Sequence, residues 1–250
     1  CKGCKEDRSR RGRGDFGGVV SAGYLPGRQG VGGPIAAVSY AFFVDFDGTI
    51  TTSDVCYELV ATFAGEGWRE INTRWERKEL STLECARATF KLFRTKSPED
   101  FAQLCERITL EEGFREFVAY CREKDFPVVI LSDGYDYYIE RLLKREGLEL
   151  PYYANKLLFS PELDVEAPYQ SDSCSSCGVC KLELLKKLHQ PGQRIVYIGD
   201  SHSDFCPAQG ADLVFAKTKL FQQYCLDAGK ETRFFNNFFD ILREITCHED

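Results

Sequence analysis

Two aspartates with one residue between them are the first candidates for chemistry in this sequence. Asp45 and Asp47 lie in Asp-Phe-Asp-Gly-Thr at 45–49, directly after a short apolar run. In an extended segment, side chains at i and i+2 point the same way. The pair therefore suits one carboxylate nucleophile and one proton donor.

Three later segments add groups that suit a phosphate. The hydroxyl of Ser132 can donate to a phosphoryl oxygen, and Lys181 can offset phosphate charge. Asp200 and Asp204, within 199–204, add carboxylates of the oxygen-only kind that Mg²⁺ prefers. Singly, Asp204 could be only a helix N-cap, Ser132 a turn residue and Lys181 a solvated charge.

The elements that must position these residues alternate from Val38 onward, which predicts an α/β fold with a doubly wound parallel sheet. Apolar runs predict strands at 39–46, 126–131, 153–159 and 194–198, and helical patterns cover 137–146 and 181–188. A helical block from 53 to about 122, with breaks near 65–67, 81 and 97–98, is too long for one crossover. We interpret 53–119 as a helical cap inserted after the first strand, with the core in 38–52 and 120–250.

Composition excludes several classes of protein. The chain has 250 residues, 43% hydrophobic and 28% charged, as expected of a globular domain that can bury a core. A net charge of −7 without a basic stripe argues against nucleic-acid binding. No apolar run is long enough to predict a membrane span, and no signal peptide is evident. We expect a cytoplasmic protein whose twelve cysteines are mostly free thiols.

Residues 1–37 differ from the rest of the chain. They hold ten of the 21 glycines and carry seven Lys or Arg against three Asp or Glu, with no apolar periodicity. We predict a disordered or non-native extension, with translation beginning near Val38 at a start codon other than Met. Intact-mass analysis of the native protein tests this hypothesis.

In their order along the chain, the four segments resemble the motifs of the haloacid dehalogenase (HAD) superfamily of phosphatases. The resemblance covers residues 40 to about 245 and implies a Rossmann-like core. It implies that Asp45 attacks phosphorus and that Asp47 protonates the leaving oxygen and then activates water. Ser132 and Lys181 would hold the phosphoryl group. Mg²⁺ would bind the Asp45 carboxylate, the Asp47 carbonyl and Asp200, with Asp204 supporting these ligands.

The position of the cap resembles that of the phosphoserine-phosphatase branch, whose caps close over small phosphorylated metabolites. Asp54, at the entry to the cap, could face the substrate or could only cap a helix. Gly134, beside Ser132, is a further candidate for substrate binding. A closer resemblance is to phosphatases that act on 2-hydroxy-3-keto-5-methylthiopentenyl-1-phosphate in methionine salvage. It rests on 49–51 with Asp54, 153–157, 177–181, 212–217 and Cys225.

Several alternatives stay open at this point. The segment Asp204-Phe-Cys-Pro at 204–207 also resembles the corresponding segment of phosphoethanolamine and phosphocholine phosphatases, so their substrates are alternatives. Phosphoserine is a further alternative substrate. Lys156 competes with Lys181 as the phosphate-binding lysine. A non-catalytic module that binds a phosphorylated ligand would keep the same fold. A serine hydrolase built on Ser132 or Ser201 with His202 is another alternative, but the sequence has no Gly-x-Ser-x-Gly motif to support it, and His202 next to Ser201 in sequence is not a triad.

Cysteines at 174, 177 and 180 stand out by their spacing. Three thiols, with two residues between each and the next, could bind zinc or an iron–sulfur cluster if Cys206 supplied a fourth ligand. A loop of free thiols is the alternative interpretation. By contrast, Cys56, Cys85, Cys105 and Cys121 sit singly in apolar helical patterns, where cysteine acts as a small hydrophobe.

Overall fold

A seven-stranded sheet forms the middle layer of the computed structural model, which describes residues 39–172 and 176–247. Its order is β4-β3-β2-β1-β5-β6-β7, and only the β3–β4 pair is antiparallel. The strands are β1 (Ser39–Val44), β2 (Val128–Tyr135), β3 (Tyr152–Leu158), β4 (Asp164–Glu166), β5 (Gln193–Gly199), β6 (Leu213–Ala216) and β7 (Glu231–Phe234). The predicted α/β fold with a mostly parallel sheet is confirmed.

Helices connect these strands and follow the last of them. They are α1 (Val55–Phe63), α2 (Trp68–Glu76), α3 (Thr82–Phe90), α4 (Pro98–Cys105), α5 (Phe114–Glu123), α6 (Asp136–Arg145), α7 (Lys181–Leu188), α8 (Phe205–Ala208), α9 (Lys219–Asp227) and α10 (Phe238–Thr246). A short 3-10 turn covers His202–Asp204. None of the helices in the described ranges is long and apolar enough to cross a membrane.

Strand β1 is buried on both faces, as a central parallel strand must be. Phe42 and Val44 belong to one core cluster, which contains side chains of α5, α6 and α10. Phe43, whose side chain points the other way, belongs to a second cluster with residues of α7, α8 and α9. Helices thus cover both faces of the sheet, which is the doubly wound arrangement.

The helical block predicted from 53 to about 122 contains helices α1 to α5, and the three predicted breaks are present. Gly67 adopts a φ of 95° before α2, Ser81 forms a capping box with Glu84 at α3, and Ser97 caps α4 ahead of Pro98. These local sequence signals are sufficient to end one helix and begin the next.

A fourth interruption, at 106–113, was not predicted. Gly113 adopts a φ of 78° before α5, and a Cβ added there would lie 2.7 Å from the backbone nitrogen of Phe239. Helix α5 packs against α10, with the Phe114 and Phe238 rings 4.9 Å apart. The predicted boundary between cap and core, at 119–120, falls inside this helix.

The strand predictions need three corrections. β2 continues past its predicted end at 131, through Ser132–Gly134, with an irregular register between Leu131 and Tyr135. β4 lies after Phe159, where no strand was predicted. β6 and β7 were not predicted, since strands of four residues give almost no periodicity. The predicted extension at 1–37 lies outside the described residues.

Candidate active site

The acidic cluster lies at the carboxyl ends of β1 and β5, where the strand order reverses. From β1 the chain first continues through β2 to β3 on one side, and later through β5 to β6 on the other. Open parallel sheets bind ligands at this position. Asp45 follows β1, and its backbone N–H donates to the Ile198 carbonyl of β5 at 2.9 Å. Carboxylate oxygens of Asp45, Asp200 and Asp204 lie within 4.8 Å of one another.

Lys181 projects into this cluster from the first turn of α7. Its side chain is 1% exposed, and Nζ donates to Asp45 Oδ1 at 2.6 Å, Asp204 Oδ1 at 2.8 Å and Ser203 Oγ at 3.1 Å. A buried ammonium would be costly without such partners. Lys156, the competing lysine, lies on β3 with its side chain exposed and 3.6 Å from Glu166. The structure therefore brings Lys181, and not Lys156, to Asp45.

Asp204 uses both of its carboxylate oxygens within the protein. Oδ1 accepts hydrogen bonds from Lys181 Nζ and from the Tyr197 hydroxyl at 2.6 Å. Oδ2 accepts from the backbone N–H groups of Asp200 at 2.9 Å and Ser201 at 3.1 Å. Asp204 precedes α8, but its side chain does not cap that helix. Its contacts instead fix the 200–201 loop and the Lys181 ammonium relative to each other.

Both carboxylate oxygens of Asp47 accept hydrogen bonds. Its Oδ2 accepts hydrogen bonds from the Tyr138 hydroxyl at 2.7 Å and Ser132 Oγ at 3.2 Å, and its Oδ1 accepts from the Val55 backbone N–H at 3.2 Å. Ser132 is fully buried and itself accepts from the Gly134 N–H at 2.9 Å. The predicted residues Asp47, Ser132 and Gly134 thus come together, and α1 is linked to them through Val55.

Burial and mutual repulsion shift the acidities of these groups. Burial, aided by the charge of Asp204, raises the pKa of Asp45 well above its usual value, although Lys181 opposes the shift. Burial also raises the pKa of Asp47 to about 7, with the charge of Asp54 adding to it. The pKa of Asp200 likewise rises to about 7 because of burial and the neighbouring Asp204. If all of these carboxyl groups were ionised, their negative charge would exceed what one lysine can balance, and the raised pKa values favour protonation of some of them.

Asp54 acts as the N-cap of α1. Its Oδ1 accepts a hydrogen bond from the Tyr57 N–H at 2.8 Å, which is the structural alternative considered for it. The carboxylate is still close enough to raise the pKa of Asp47 electrostatically. One residue thus starts the first helix after the Asp-Phe-Asp segment and adds negative charge beside it.

Four further residues of the site escaped the sequence analysis. Tyr138 contacts Asp47, and Lys217 Nζ donates to the Gly48 carbonyl at 2.8 Å. Asp133 Oδ1 accepts from the Val179 N–H at 2.8 Å, and the Asn155 amide donates to the Asp133 carbonyl at 2.6 Å. These bonds fix the segment that leads into α7. Asn155 and Lys217 lie in segments that carry the closer resemblance, which was the one signal available for them.

The cysteine motif is only partly described. Cys174 lies outside the described residues, Cys177 is partly exposed, and Cys180 is buried immediately before α7. Within 39–172 and 176–247, the one group of potential metal ligands is the acidic cluster. Cys105 and Cys121 are buried in the apolar core, as predicted for small hydrophobes.

Comparison with known proteins gives the class to which this fold and site belong. Residues 42–209 match the family model of haloacid dehalogenase-like hydrolases. The chain belongs to that family, which confirms the resemblance drawn from the four segments.

Two curated relatives have names that are more specific than the family description. The chain is 35% identical over 206 residues to a 2-hydroxy-3-keto-5-methylthiopentenyl-1-phosphate phosphatase of Geobacillus kaustophilus, covering 80% of this chain and 92% of the relative. It is 33% identical over 211 residues to a phosphatase of the same name from Lysinibacillus sphaericus, covering 80% and 91%. The predicted phosphatase class and the resemblance to this group are confirmed.

Solved structures agree on the fold. A phosphoserine phosphatase, described as a phospho-aspartyl intermediate analogue, superposes with a TM-score of 0.64 at 21% identity, covering 86% of this chain and all of that one. A substrate-bound phosphoserine phosphatase also gives a TM-score of 0.64, at 20% identity, covering 83% and 99%. The predicted likeness to the phosphoserine-phosphatase branch is confirmed at the level of the fold.

Proposed function

We propose that this protein is a Mg²⁺-dependent phosphomonoesterase that hydrolyses 2-hydroxy-3-keto-5-methylthiopentenyl-1-phosphate through an aspartyl phosphate on Asp45. One observation carries the proposal. The Asp45 carboxylate lies 2.6 Å from Lys181 Nζ, within 4.8 Å of the carboxylates of Asp200 and Asp204, at the reversal of strand order. The choice of substrate is supported by the two curated relatives named for that ester.

Asp45 is the proposed nucleophile. One of its carboxylate oxygens forms a bond to phosphorus while the bond from phosphorus to the ester oxygen breaks. Water then attacks phosphorus, releases inorganic phosphate and regenerates the carboxylate. Lys181, already in contact with Asp45, lies where it can bind phosphoryl oxygens and reduce repulsion between the carboxylate and the phosphate.

Asp47 is the proposed acid and base of the reaction. It gives a proton to the departing ester oxygen and later accepts one from the attacking water. A pKa near 7 is matched to both directions of transfer at neutral pH. Ser132 and Gly134 adjoin Asp47, and we propose that the Ser132 hydroxyl turns toward a phosphoryl oxygen when substrate binds.

The donor set fits a hard divalent cation. Asp45 and Asp200 offer carboxylate oxygens, and their pKa values are raised first by burial and then by the neighbouring charge of Asp204, which a cation would offset. We propose that these carboxylates and the Asp47 backbone carbonyl hold Mg²⁺, which supplies positive charge to the phosphoryl oxygens when bound. Because both oxygens of Asp204 are used by internal donors, we assign this residue to support of the ligands.

We propose that α1 to α4 form the cap over the site, with α5 belonging to the core. Helix α3 contacts the core directly. Arg87 Nε donates to Asp164 of β4 at 2.8 Å, and the Thr82 N–H donates to the Ser176 carbonyl at 3.0 Å. Ser176 precedes the segment that carries Lys181. This supports a cap that encloses a small phosphorylated metabolite between α1, α3 and the ends of the strands.

Phosphate release from a panel of monoesters tests the proposal. The full chain and its Asp45→Asn variant would be assayed with Mg²⁺ and with EDTA. The panel contains the methionine-salvage ester, phosphoserine, phosphocholine, phosphoethanolamine and 4-nitrophenyl phosphate. We expect the methionine-salvage ester to have the highest kcat/KM, with release abolished by EDTA and by Asp45→Asn.

Other outcomes identify the alternatives. A preference for phosphoserine, phosphoethanolamine or phosphocholine would keep the mechanism and replace the substrate. Release that survives Asp45→Asn would contradict the aspartyl phosphate. No release by a folded protein that still binds the esters would indicate a phospho-ligand binding module.

A further inference from the structure

Tyr138 is a buried hydroxyl aimed at the proposed acid and base. It lies in the first turn of α6, its side chain is fully buried, and its hydroxyl is 2.7 Å from Asp47 Oδ2. A buried phenol needs a partner, and a carboxylate is a strong one. The Cys56 sulfur lies 3.4 Å from the same hydroxyl, on the side of α1. Tyr138 thus links a core helix to Asp47 beneath the cap.

The backbone around Tyr138 is built to admit its hydroxyl. A Cβ added to Gly134 would lie 1.7 Å from the Tyr138 oxygen and 2.3 Å from Asp47 Oδ2. Both distances are far inside van der Waals contact. The contact between Tyr138 and Asp47 therefore depends on the absence of a side chain at position 134. The glycine at this position is a second observation, independent of the hydrogen bond, that this contact is part of the site.

Ser132 cannot serve Asp47 and the substrate with the same proton. Its hydroxyl has one hydrogen to donate, which the structure directs to Asp47 Oδ2 at 3.2 Å. In the proposed function that hydrogen turns to a phosphoryl oxygen. Asp47 Oδ2 then keeps the hydrogen bond from Tyr138, and Oδ1 keeps the one from the Val55 N–H.

We propose that Tyr138 is a positioning residue that holds the Asp47 carboxyl in place for proton transfer while Ser132 binds phosphate; this inference rests on the proposed function. As phosphorus bonds to Asp45, the bond to the ester oxygen breaks and the proton of Asp47 passes to that oxygen. Tyr138 acts through Asp47 and gives up no proton itself. Its contribution grows with the basicity of the leaving oxygen, because a weakly basic leaving group departs without a proton.

The test is Tyr138→Phe assayed on phenyl phosphate and 4-nitrophenyl phosphate, with Mg²⁺ present. The two esters share a ring, but phenolate is far more basic than 4-nitrophenolate. kcat/KM covers steps up to the departure of the leaving group. We expect kcat/KM to fall about tenfold or more for phenyl phosphate and less than about threefold for 4-nitrophenyl phosphate.

Tyr197→Phe is the matched control, since it removes another buried tyrosine hydroxyl that contacts a site carboxylate, Asp204. We expect its losses to be equal for the two esters. Equal losses in Tyr138→Phe, or no loss, would overturn the positioning role. The proposed function is tested separately, because it fails if phosphate release from these esters survives Asp45→Asn.

Discussion

Lys217 and Glu111 form an ion pair, with 2.6 Å between Nζ and Oε2, beside the Asp-Phe-Asp-Gly-Thr turn. The two side chains are only 16% and 15% exposed. Lys217 Nζ also donates to the Gly48 carbonyl at 2.8 Å, and the Glu111 N–H donates to the Ile50 carbonyl at 2.7 Å. The pair therefore holds the turn that carries Asp47 through its backbone.

We expect Lys217→Met to lower the free energy of unfolding by about 1–3 kcal/mol, because it leaves Glu111 and the Gly48 carbonyl without this donor in a largely buried place. It should also lower kcat, since the turn that carries Asp47 loses a support. Urea unfolding and steady-state kinetics measure the two effects.

Lys187→Met provides the comparison. Lys187 pairs with Glu183 at 2.6 Å, but the side chains are 59% and 41% exposed, so we expect a cost below about 0.5 kcal/mol. Equal costs for the two lysines would show that the Lys217 contacts add nothing beyond an ordinary surface pair.

Replacement of Lys181 tests which lysine serves the phosphate. We expect Lys181→Arg to lower kcat/KM by about a hundredfold, because a planar guanidinium cannot place one donor among Asp45, Asp204 and Ser203 as the ammonium does. Lys156→Met should leave kcat/KM within about twofold of wild type. A large loss in Lys156→Met with activity retained in Lys181→Arg would reverse the assignment.

The raised acidities predict how stability depends on pH without a divalent cation. The pKa values of Asp47 and Asp200 rise from 3.8 to about 7 on folding. Between these values the folded protein binds more protons than the unfolded chain, so stability falls as pH rises. We expect Tm in EDTA to decrease from pH 5 to pH 8.

Mg²⁺ should lessen that decrease, because it takes over the charge compensation that protons give at lower pH. Asp200→Asn removes one of the titrating groups and should flatten the profile in EDTA. Differential scanning fluorimetry across this range is sufficient. A wild-type Tm that rises toward pH 8 in EDTA would contradict the assigned direction of both shifts.

We expect Gly134→Ala to disturb the Asp47 contacts. The added methyl group would lie 1.7 Å from the Tyr138 oxygen, so one side chain must move. The free energy of unfolding should fall by about 1–3 kcal/mol, as for an overpacked core, and kcat/KM should fall with it. Gly65→Ala is the control, since its Cβ would meet only the Leu92 carbonyl at 3.4 Å. Comparable losses in both variants would indicate a general glycine effect.

The proximity of the proposed catalytic residues could be predicted from the sequence, because these residues occur at or near the ends of predicted strands. Asp45, Ser132 and Asp200 each occur at or after an apolar run, and parallel strands bring such ends to one edge. Lys181 was placed at the start of a helix, and α7 begins there. These signals are local, and the fold adds only their convergence.

The contacts that the sequence analysis did not predict join residues far apart in the sequence, and no local pattern indicates such contacts. Tyr138 has the spacing of an ordinary core residue of α6, and its contact with Asp47 spans 91 residues. Lys217 reaches Gly48 across 169 residues. The short strands β4, β6 and β7 escaped for a different reason, since three or four residues are too few to show alternation.

The pairing of β1 with β5 also affects the order of events during synthesis. Ser39 is in register with Gln193, so β1 leaves the ribosome long before β5 is synthesised. Contacts this distant in sequence close slowly, because the loop between them must first lose its entropy. The two halves of the acidic cluster meet only at that closure. Recovery of catalysis after denaturation therefore requires the pairing of β1 with β5, and formation of the helices alone would not restore it.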